Sequence, residues 1–114
     1  QIPEMTVVGH NTATIRESLL EKAFELGERF ITASKEHYDP GIIGPFCLQT
    51  CIDKDMNYYI YDVAPRLGGG TNVHVSVGHP YGNATWRKPM SSGRRIAMEL
   101  RMAAEQDRLL EVLT

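Results

Sequence analysis

An acid, an arginine and a run of glycines stand close together in the middle of this sequence. The stretch YDVAPRLGGGTN places Asp62 at the end of an apolar segment, Arg66 four residues later, and glycines at 68–70. Glycines let a backbone approach phosphate oxygens without a Cβ clash, and successive N–H groups can hold an anion. A guanidinium suits phosphate or carboxylate, and a carboxylate oxygen suits Mg²⁺. The stretch predicts a phosphate and metal site, although a glycine run alone is more often a flexible turn, and Arg66 could instead pair with Asp62.

The strands that would carry this site are predicted to form a β-hairpin. FCLQTCI and YYIYDVA are rich in strand formers, and the short polar segment DKDMN separates them. A four-residue loop would place Gln49 opposite Asp62, whereas a five-residue loop would place Leu48 there. Opposed side chains share a face and lie about 5 Å apart. The sequence alone leaves both registers open, but only the first puts two oxygen ligands side by side.

Two long helices are predicted to flank the hairpin. The first lies in NTATIRESLLEKAFELGERFITASKEH, with Thr14 and Glu17 as a capping box. The last is SSGRRIAMELRMAAEQDRLLEVL, with Ser91 or Ser92 as its N-cap. Between them, NVHVSVG is predicted as a further strand and HPYGNATWRKPM as a loop. This order predicts an α+β fold, an antiparallel sheet with two long helices packed on it.

A second anion site is predicted at the start of the last helix. Arg94 and Arg95 lie in or next to its first turn, beside two serines. Cations are unfavourable near a helix N-terminus, so two arginines there could serve to bind an anion together with the free amides. The alternative is a pair of solvated arginines that reach acids elsewhere.

Composition limits the classes of protein to which the chain can belong. Its 114 residues suffice for a single domain. A net charge of -2 gives no reason to expect nucleic acid or an anionic membrane as a partner, and no apolar run approaches the length of a membrane span. Cys47 and Cys51 fit reduced thiols in a cytoplasmic protein. Because Gln1 is not an initiator methionine, we expect residues 1–114 to be a piece of a longer chain.

Several strings together resemble one enzyme family along nearly the whole chain. RESLLEKAFELGERF, PGIIGPFCLQT, YDVAPRLGGGTN, GHPYGNATW and KPMSSGRRIAMELRMAAEQDRLLEVLT are similar to the C-terminal part of the archaeal formate-dependent AICAR ligases, which are ATP-grasp enzymes of purine biosynthesis. The resemblance implies that ATP phosphorylates formate and that the amine of 5-aminoimidazole-4-carboxamide ribonucleotide attacks the formyl phosphate. It also implies Mg²⁺ or Mn²⁺ as the metal, with ATP as co-substrate.

The same resemblance assigns roles to individual residues. It implies metal ligands at Gln49 and Asp62, which favours the first register, and a catalytic arginine at Arg66. Ala64 stands where many ATP-grasp proteins have a metal-binding asparagine. The residues expected to bind phosphate or substrate are Gly68, Gly69, Gly70, Thr71, Asn72, Arg94 and Arg95.

The resemblance also implies that the site is incomplete within these residues. ATP-grasp enzymes hold the nucleotide between two subdomains, so we expect the chain to depend on the remainder of its own polypeptide and not to turn over ATP alone. A non-catalytic nucleotide- or anion-binding module is the alternative. A third interpretation is an assembly element whose long helices form a subunit interface, and we expect a homo-oligomer.

Overall fold

A computed structural model describes residues 4, 6–74 and 77–113, and its architecture is α+β, as predicted. The only sheet within these residues is a two-stranded antiparallel ribbon. The helices and strands are, in chain order, α1 (Glu17–His37), β1 (Cys47–Ile52), β2 (Tyr58–Ala64), α2 (Pro80–Trp86) and α3 (Ser92–Glu105), with short 3₁₀ helices at Gly69–His74 and Leu109–Glu111.

The hairpin register brings Gln49 and Asp62 opposite each other, which confirms the predicted pair. The loop length associated with that register was wrong, because Ile52 pairs with Tyr58 and leaves five residues in the loop. The register shifts by one residue beyond Thr50, where Tyr61 forms a bulge in β2. The bulge therefore compensates for the longer loop before the strands reach the predicted site.

α1 packs against the ribbon through an apolar stripe at helical spacing. Leu19 is buried on this stripe, and its carbonyl oxygen accepts a hydrogen bond of 3.0 Å from the Tyr58 hydroxyl. The rings of Phe30 and Phe46 meet with centroids 5.0 Å apart, just before β1 begins. These contacts fix the helix to the hairpin from one side.

The predicted site residues occupy the other side of the ribbon. Paired residues share a face, and successive residues in a strand alternate between faces. Tyr58 and its partner Ile52 face α1, so Cys47 and Gln49 face away from it. Asp62 pairs with Gln49 and shares that outer face. One face of the ribbon thus packs against α1, and the opposite face carries the side chains of the predicted metal ligands.

The segment after the glycines was predicted as a strand, and the prediction is wrong where it can be checked. Val73 and His74 belong to the first 3₁₀ helix, and Val77 lies in a turn, while residues 75 and 76 fall outside the described residues. The amide of Thr71 donates to the Gly68 carbonyl at 3.0 Å, which closes a 3₁₀ turn at the glycines. This turn bends the backbone where a strand would be extended.

The following segment was predicted as a loop, and this too is corrected, because Pro80–Trp86 is a helix. Proline occupies the first helical position, where its missing N–H costs nothing. The His79 side chain caps the helix by accepting a hydrogen bond from the Tyr81 amide at 3.3 Å. Arg87 ends it in the left-handed conformation with φ 53°.

The helix caps agree with prediction at α3 and differ at α1. α1 begins at Glu17 itself, so the predicted capping box with Thr14 does not form, and the N-cap residue Arg16 makes no side-chain cap. Ser91 is the N-cap of α3, and its hydroxyl oxygen accepts a hydrogen bond of 3.2 Å from the Arg94 amide.

α3 is shorter than predicted because a Schellman motif ends it at Glu105. Asp107 adopts the left-handed conformation with φ 57°. The Arg108 amide donates to the Ala103 carbonyl at 2.8 Å, and the Asp107 amide donates to the Ala104 carbonyl at 3.2 Å. The chain then turns into the second 3₁₀ helix instead of continuing to residue 113.

The chain is extended for its length and has a small core. Its radius of gyration is 16.3 Å, whereas a compact domain of this length would have about 13 Å. The buried apolar side chains among the described residues are Leu19, Ala64, Met90 and Ala103. Large apolar residues such as Phe24, at 60% exposure, remain open to solvent. Within residues 6–74 and 77–113, no helix has the length and apolar character needed to cross a bilayer.

Candidate functional site

Gln49 and Asp62 form a polar pair on the outer face of the ribbon. The Gln49 amide nitrogen Nε2 donates to Asp62 Oδ2 at 2.7 Å. Because an ionised carboxylate can only accept hydrogen bonds, the amide oxygen of Gln49 must point elsewhere. Asp62 is exposed and Gln49 is half-buried. The pair therefore presents two remaining oxygens, Asp62 Oδ1 and Gln49 Oε1, from a fixed position on two neighbouring strands.

The glycine loop, residues 66–72, lies over the same face at Cys47, two residue pairs along the ribbon from Gln49 and Asp62. An added Cβ at Gly68 would stand 2.8 Å from the Cys47 sulfur and 3.3 Å from the Cys47 Cβ. Cys47 is two residues from Gln49 on the same face, a separation of about 7 Å. Thus the backbone of Gly68 packs on Cys47 and reaches the vicinity of the Gln49–Asp62 pair.

The three glycines have different neighbours. At Gly70 an added Cβ would lie 3.3 Å from His10 Cδ2, whereas at Gly69 it would meet no atom of the described residues within 4 Å. None of the three has a positive φ, so left-handed backbone is not the reason for glycine here. Gly68 and Gly70 leave room for the side chains of Cys47 and His10, whereas the Cα of Gly69 faces open space.

Substituting the glycines one at a time tests this division. We expect Gly68→Ala to lower the free energy of unfolding by about 1–3 kcal/mol, because rotating the Cys47 thiol away would still leave its Cβ too close. Gly69→Ala is the matched control and should change stability by less than about 0.5 kcal/mol. Urea denaturation of both variants measures the difference. Equal losses would show that the contact with Cys47 is not what requires glycine.

Arg66 lies at the start of this loop and points along it. Its Nη1 donates to the Leu67 carbonyl oxygen at 2.9 Å, and the side chain is exposed. Within the described residues no ion pair joins it to Asp62, so the alternative of a surface salt bridge between them is not realised. The guanidinium keeps most of its donors for another partner.

A pocket of about 990 Å³ lies between the start of β1, the glycine loop and α3. Its wall is largely apolar, and a group of polar side chains joins it. The apolar side chains include Ile43, Pro45, Phe46, Leu67, Ile96 and Leu100. The polar side chains are Thr71, His74, His79, Ser92, Arg95 and Glu99. An apolar cavity with a few convergent polar groups is the usual form of a small-molecule site.

The structure separates the two arginines that were predicted to act together. Arg95 lines the pocket, where its guanidinium lies 5.2 Å from the centre of the Trp86 ring and its Nε lies 2.6 Å from Glu99 Oε1. Arg94 does not line the pocket and donates instead to the Pro89 carbonyl at 3.3 Å. The two arginines therefore do not form a shared anion-binding site at the helix start. Of the two, Arg95 is better placed to bind an anion in the pocket.

The remaining predicted residues also divide around the pocket. Gly68, Gly70 and Thr71 line it. Gly69 and Asn72 do not line it and are exposed. Gln49, Asp62 and Arg66 likewise lie outside it. The glycine loop is thus the element shared between the polar pair on the ribbon and the apolar pocket.

Two histidines lie at the polar side of the pocket, and the sequence placed both near the predicted site but favoured a structural role for them. The rings of His74 and His79 meet edge to face, with centroids 4.9 Å apart. Partial burial, and secondarily the nearby His74, lower the pKa of His79 below its ordinary value. A neutral His79 fits its geometry, because its Nδ1 accepts the hydrogen bond from the Tyr81 amide. In the sequence, Pro80 directly after His79 was the signal that a helix begins here, because proline is favoured at the first helical position.

The ribbon pair is chemically suited to a hard divalent cation. Mg²⁺ is usually held by one or two protein oxygens, with phosphate oxygens and water completing its shell. Asp62 Oδ1 and Gln49 Oε1 supply such a set, since the hydrogen bond between the pair engages only Oδ2 and Nε2. In the part of the chain that is described, no three His, Cys, Asp or Glu side chains gather into a metal-binding group. A metal ion at Asp62 would therefore need its other ligands from the Gln49 amide oxygen, phosphate oxygens and water.

Comparison with known proteins gives consistent similarities along the whole chain. It is 43% identical over 112 residues to a protein of Saccharolobus solfataricus, and 38% identical over 112 residues to one of Methanobrevibacter smithii. It is also 36% identical over 114 residues to one of Nitrosopumilus maritimus. Each relative is named 5-formaminoimidazole-4-carboxamide-1-(beta)-D-ribofuranosyl 5'-monophosphate synthetase.

Coverage is unequal between the chain and these relatives. The alignments cover 98% of this chain for the first two and 100% for the third, but only 31–33% of each relative. The chain therefore spans about a third of the length of the curated relatives it matches. Over residues 1–114 it also matches the family described as "Domain of unknown function (DUF1297)". The chain belongs to this DUF1297 family.

Proposed function

We propose that this chain is the C-terminal part of an ATP-grasp ligase that formylates 5-aminoimidazole-4-carboxamide ribonucleotide with formate, in purine biosynthesis. The names of relatives that are 36–43% identical along the chain support this assignment. The observation that carries it is the Gln49–Asp62 pair, joined at 2.7 Å on the outer face of the ribbon, beside the glycine loop. That arrangement puts oxygen ligands next to a glycine-rich backbone segment, and phosphoryl transfer depends mainly on such positioning and on charge neutralisation.

The proposed reaction forms and breaks two bonds in sequence. A formate oxygen attacks the γ-phosphorus of ATP, the bond to ADP breaks, and formyl phosphate results. The ribonucleotide amine then attacks the formyl carbon, phosphate leaves with the C–O bond electrons, and the nitrogen loses a proton. The product is the 5-formamido ribonucleotide. Positioning and charge neutralisation account for most of the catalysis in steps of this kind.

The metal ligands, the arginine and the polar residues of the glycine loop have distinct tasks in this scheme. Asp62 and Gln49 would hold Mg²⁺ or Mn²⁺, which when bound neutralises charge on the transferring phosphate. Arg66, with its guanidinium donors mostly free, would contact the phosphate or formate as negative charge develops. Thr71 and Asn72 would bind on the substrate side of the loop.

The chain would act together with the remainder of a longer polypeptide. Its radius of gyration of 16.3 Å and its exposed apolar residues suggest that other segments normally cover part of it. Phe24, at 60% exposure on α1, and Tyr61, at 65% on β2, are examples. We also propose that the complete protein is a homo-oligomer.

The assignment is tested by assaying the longest natural polypeptide that contains this sequence. We expect phosphate release to require ATP, formate and the ribonucleotide together, and mass spectrometry to find the formamido product. The 114-residue chain alone should release no phosphate above background. Acetate in place of formate is the matched control for the acyl donor.

Other outcomes would point to different functions. Phosphate release with acetate but not with formate would make the protein a ligase for another carboxylate. Nucleotide binding without any turnover in the longest polypeptide would favour a non-catalytic binding module.

A further inference from the structure

Arg95 lines the pocket, where its guanidinium suits an anionic ligand. That guanidinium is already paired with the carboxylate of Glu99 from the same chain. Glu99 lies one helical turn after Arg95 on α3, and both side chains line the pocket. Their N–O distance is 2.6 Å, and the side chains are 47% and 45% exposed. Exposed pairs at this spacing are weak, so a ligand that binds Arg95 more strongly can displace Glu99.

Trp86 holds the guanidinium in place independently of Glu99. The Arg95 guanidinium carbon lies 5.2 Å from the centre of the Trp86 ring, within the range of a cation–π contact. The ring is half-buried, and its indole Nε1 is buried without a hydrogen-bond partner in the described residues. Because Trp86 supports one side of Arg95, losing Glu99 need not release the guanidinium into solvent.

The rest of the pocket indicates what kind of ligand would bring the anion. Phe46, Ile96 and Leu100 offer an apolar surface, and Ser92 and Thr71 offer hydroxyls. A volume of about 990 Å³ accommodates a flat heterocycle with an attached sugar and phosphate. An anion without a ring would leave the apolar wall unused, and a ring without an anion would leave Glu99 on Arg95.

We propose that the pocket binds a nucleoside monophosphate and that Glu99 is a displaceable competitor for its phosphate at Arg95. In the unliganded chain Glu99 neutralises Arg95, and on binding the phosphate takes the place of Glu99 at the guanidinium, which stays against the Trp86 ring. Glu99 thereby favours a doubly charged group over a singly charged one, by no more than the small free energy of an exposed i,i+4 pair. The choice of a nucleotide rests on the proposed function, whereas the competition rests on the geometry of Arg95.

The test measures equilibrium binding, so that it does not depend on turnover. Adenosine 5'-monophosphate and adenosine are titrated by calorimetry into the longest polypeptide that carries this chain. We expect Glu99→Gln to tighten the binding of the monophosphate about two- to fivefold and to leave adenosine unchanged. Arg95→Ala should weaken the monophosphate about tenfold or more, and adding Glu99→Gln to it should then have no further effect.

Arg94→Ala is the matched control, because it removes the same charge one residue away and outside the pocket. It should leave both affinities within twofold of the wild type. The proposal is overturned if Arg94→Ala weakens binding as much as Arg95→Ala, or if Glu99→Gln affects adenosine and the monophosphate equally. Binding that is insensitive to both pocket substitutions would place the nucleotide elsewhere in the polypeptide and overturn it too.

These outcomes are separable from failure of the proposed ligase activity. An enzyme that uses formate and ATP but binds the monophosphate independently of Glu99 keeps its function and loses the pocket mechanism. A protein without ligase activity whose monophosphate affinity responds to Glu99→Gln keeps the pocket mechanism and loses the function.

Discussion

Asp62→Ala is expected to lower kcat of the proposed ligase, assayed in the longest polypeptide that carries this chain, by about a hundredfold or more, which corresponds to about 2.7 kcal/mol of activation free energy. The physical reason is that Asp62 contributes the only formal negative charge of the polar pair, and Gln49 offers a neutral amide. Without that charge the ribbon retains one weak oxygen donor for a divalent cation. Steady-state assays at saturating ATP, repeated over a range of Mg²⁺ concentrations, measure the loss.

Two substitutions distinguish charge from shape and from surface effects. Asp62→Asn keeps an oxygen that can accept the Gln49 hydrogen bond, so it should preserve the fold of the ribbon while losing most of the activity. Asp55→Ala removes an exposed acid from the turn of the same hairpin, where among the described residues its side chain pairs with Lys54 alone, and it should leave kcat nearly unchanged. A kcat for Asp62→Ala within threefold of the wild type would remove Asp62 from the site.

The central pair of the site could be predicted from the sequence, but the route by which the chain forms it could not. Strand composition gives the hairpin but leaves both registers open, and the family resemblance, which implies metal ligands at Gln49 and Asp62, favours the register that is observed. The loop, however, has five residues, because Asp53 accepts hydrogen bonds from the amides of Asp55 and Asn57, both at 2.9 Å. The bulge at Tyr61 then restores the pairing of Gln49 with Asp62.

The turn itself shows which signal was missed. Hydrogen bonds from Asn57, led by the one from its backbone amide, hold the pKa of Asp53 below its usual range. An aspartate that organises a turn in this way is a recognised local pattern, and Asp53 begins the polar segment. A bulge, by contrast, depends on how two strands pair and leaves little trace in either strand alone.

The glycine run and the pocket illustrate a different limit. Glycine at 68 could be recognised as a place of close approach, but whether the approaching atom belongs to a ligand or to Cys47 depends on tertiary packing. The pocket escaped prediction for the same reason, because its walls come from segments separated in sequence, such as Pro45 and Leu100. Local patterns identify elements, whereas the space between elements depends on how they dock.

The second large effect is expected at Gly78, which connects the glycine-loop segment to α2. Gly78 is buried and has φ +74°. An added Cβ would lie 2.5 Å from both Asn83 Oδ1 and the Met90 carbonyl oxygen. Asn83 is itself a bridge, since its side chain donates to the Val77 carbonyl and accepts from the Met90 amide, each at 2.8 Å. Little can move here without breaking hydrogen bonds.

We therefore expect Gly78→Ala to lower the free energy of unfolding by about 3 kcal/mol, combining left-handed backbone strain with a clash against backbone. Urea denaturation measures the loss. Gly82→Ala is the matched control, because an added Cβ at Gly82 would meet nothing within 4 Å and alanine favours the helix in which it lies. A destabilisation at Gly78 no larger than at Gly82 would contradict the bridge through Asn83.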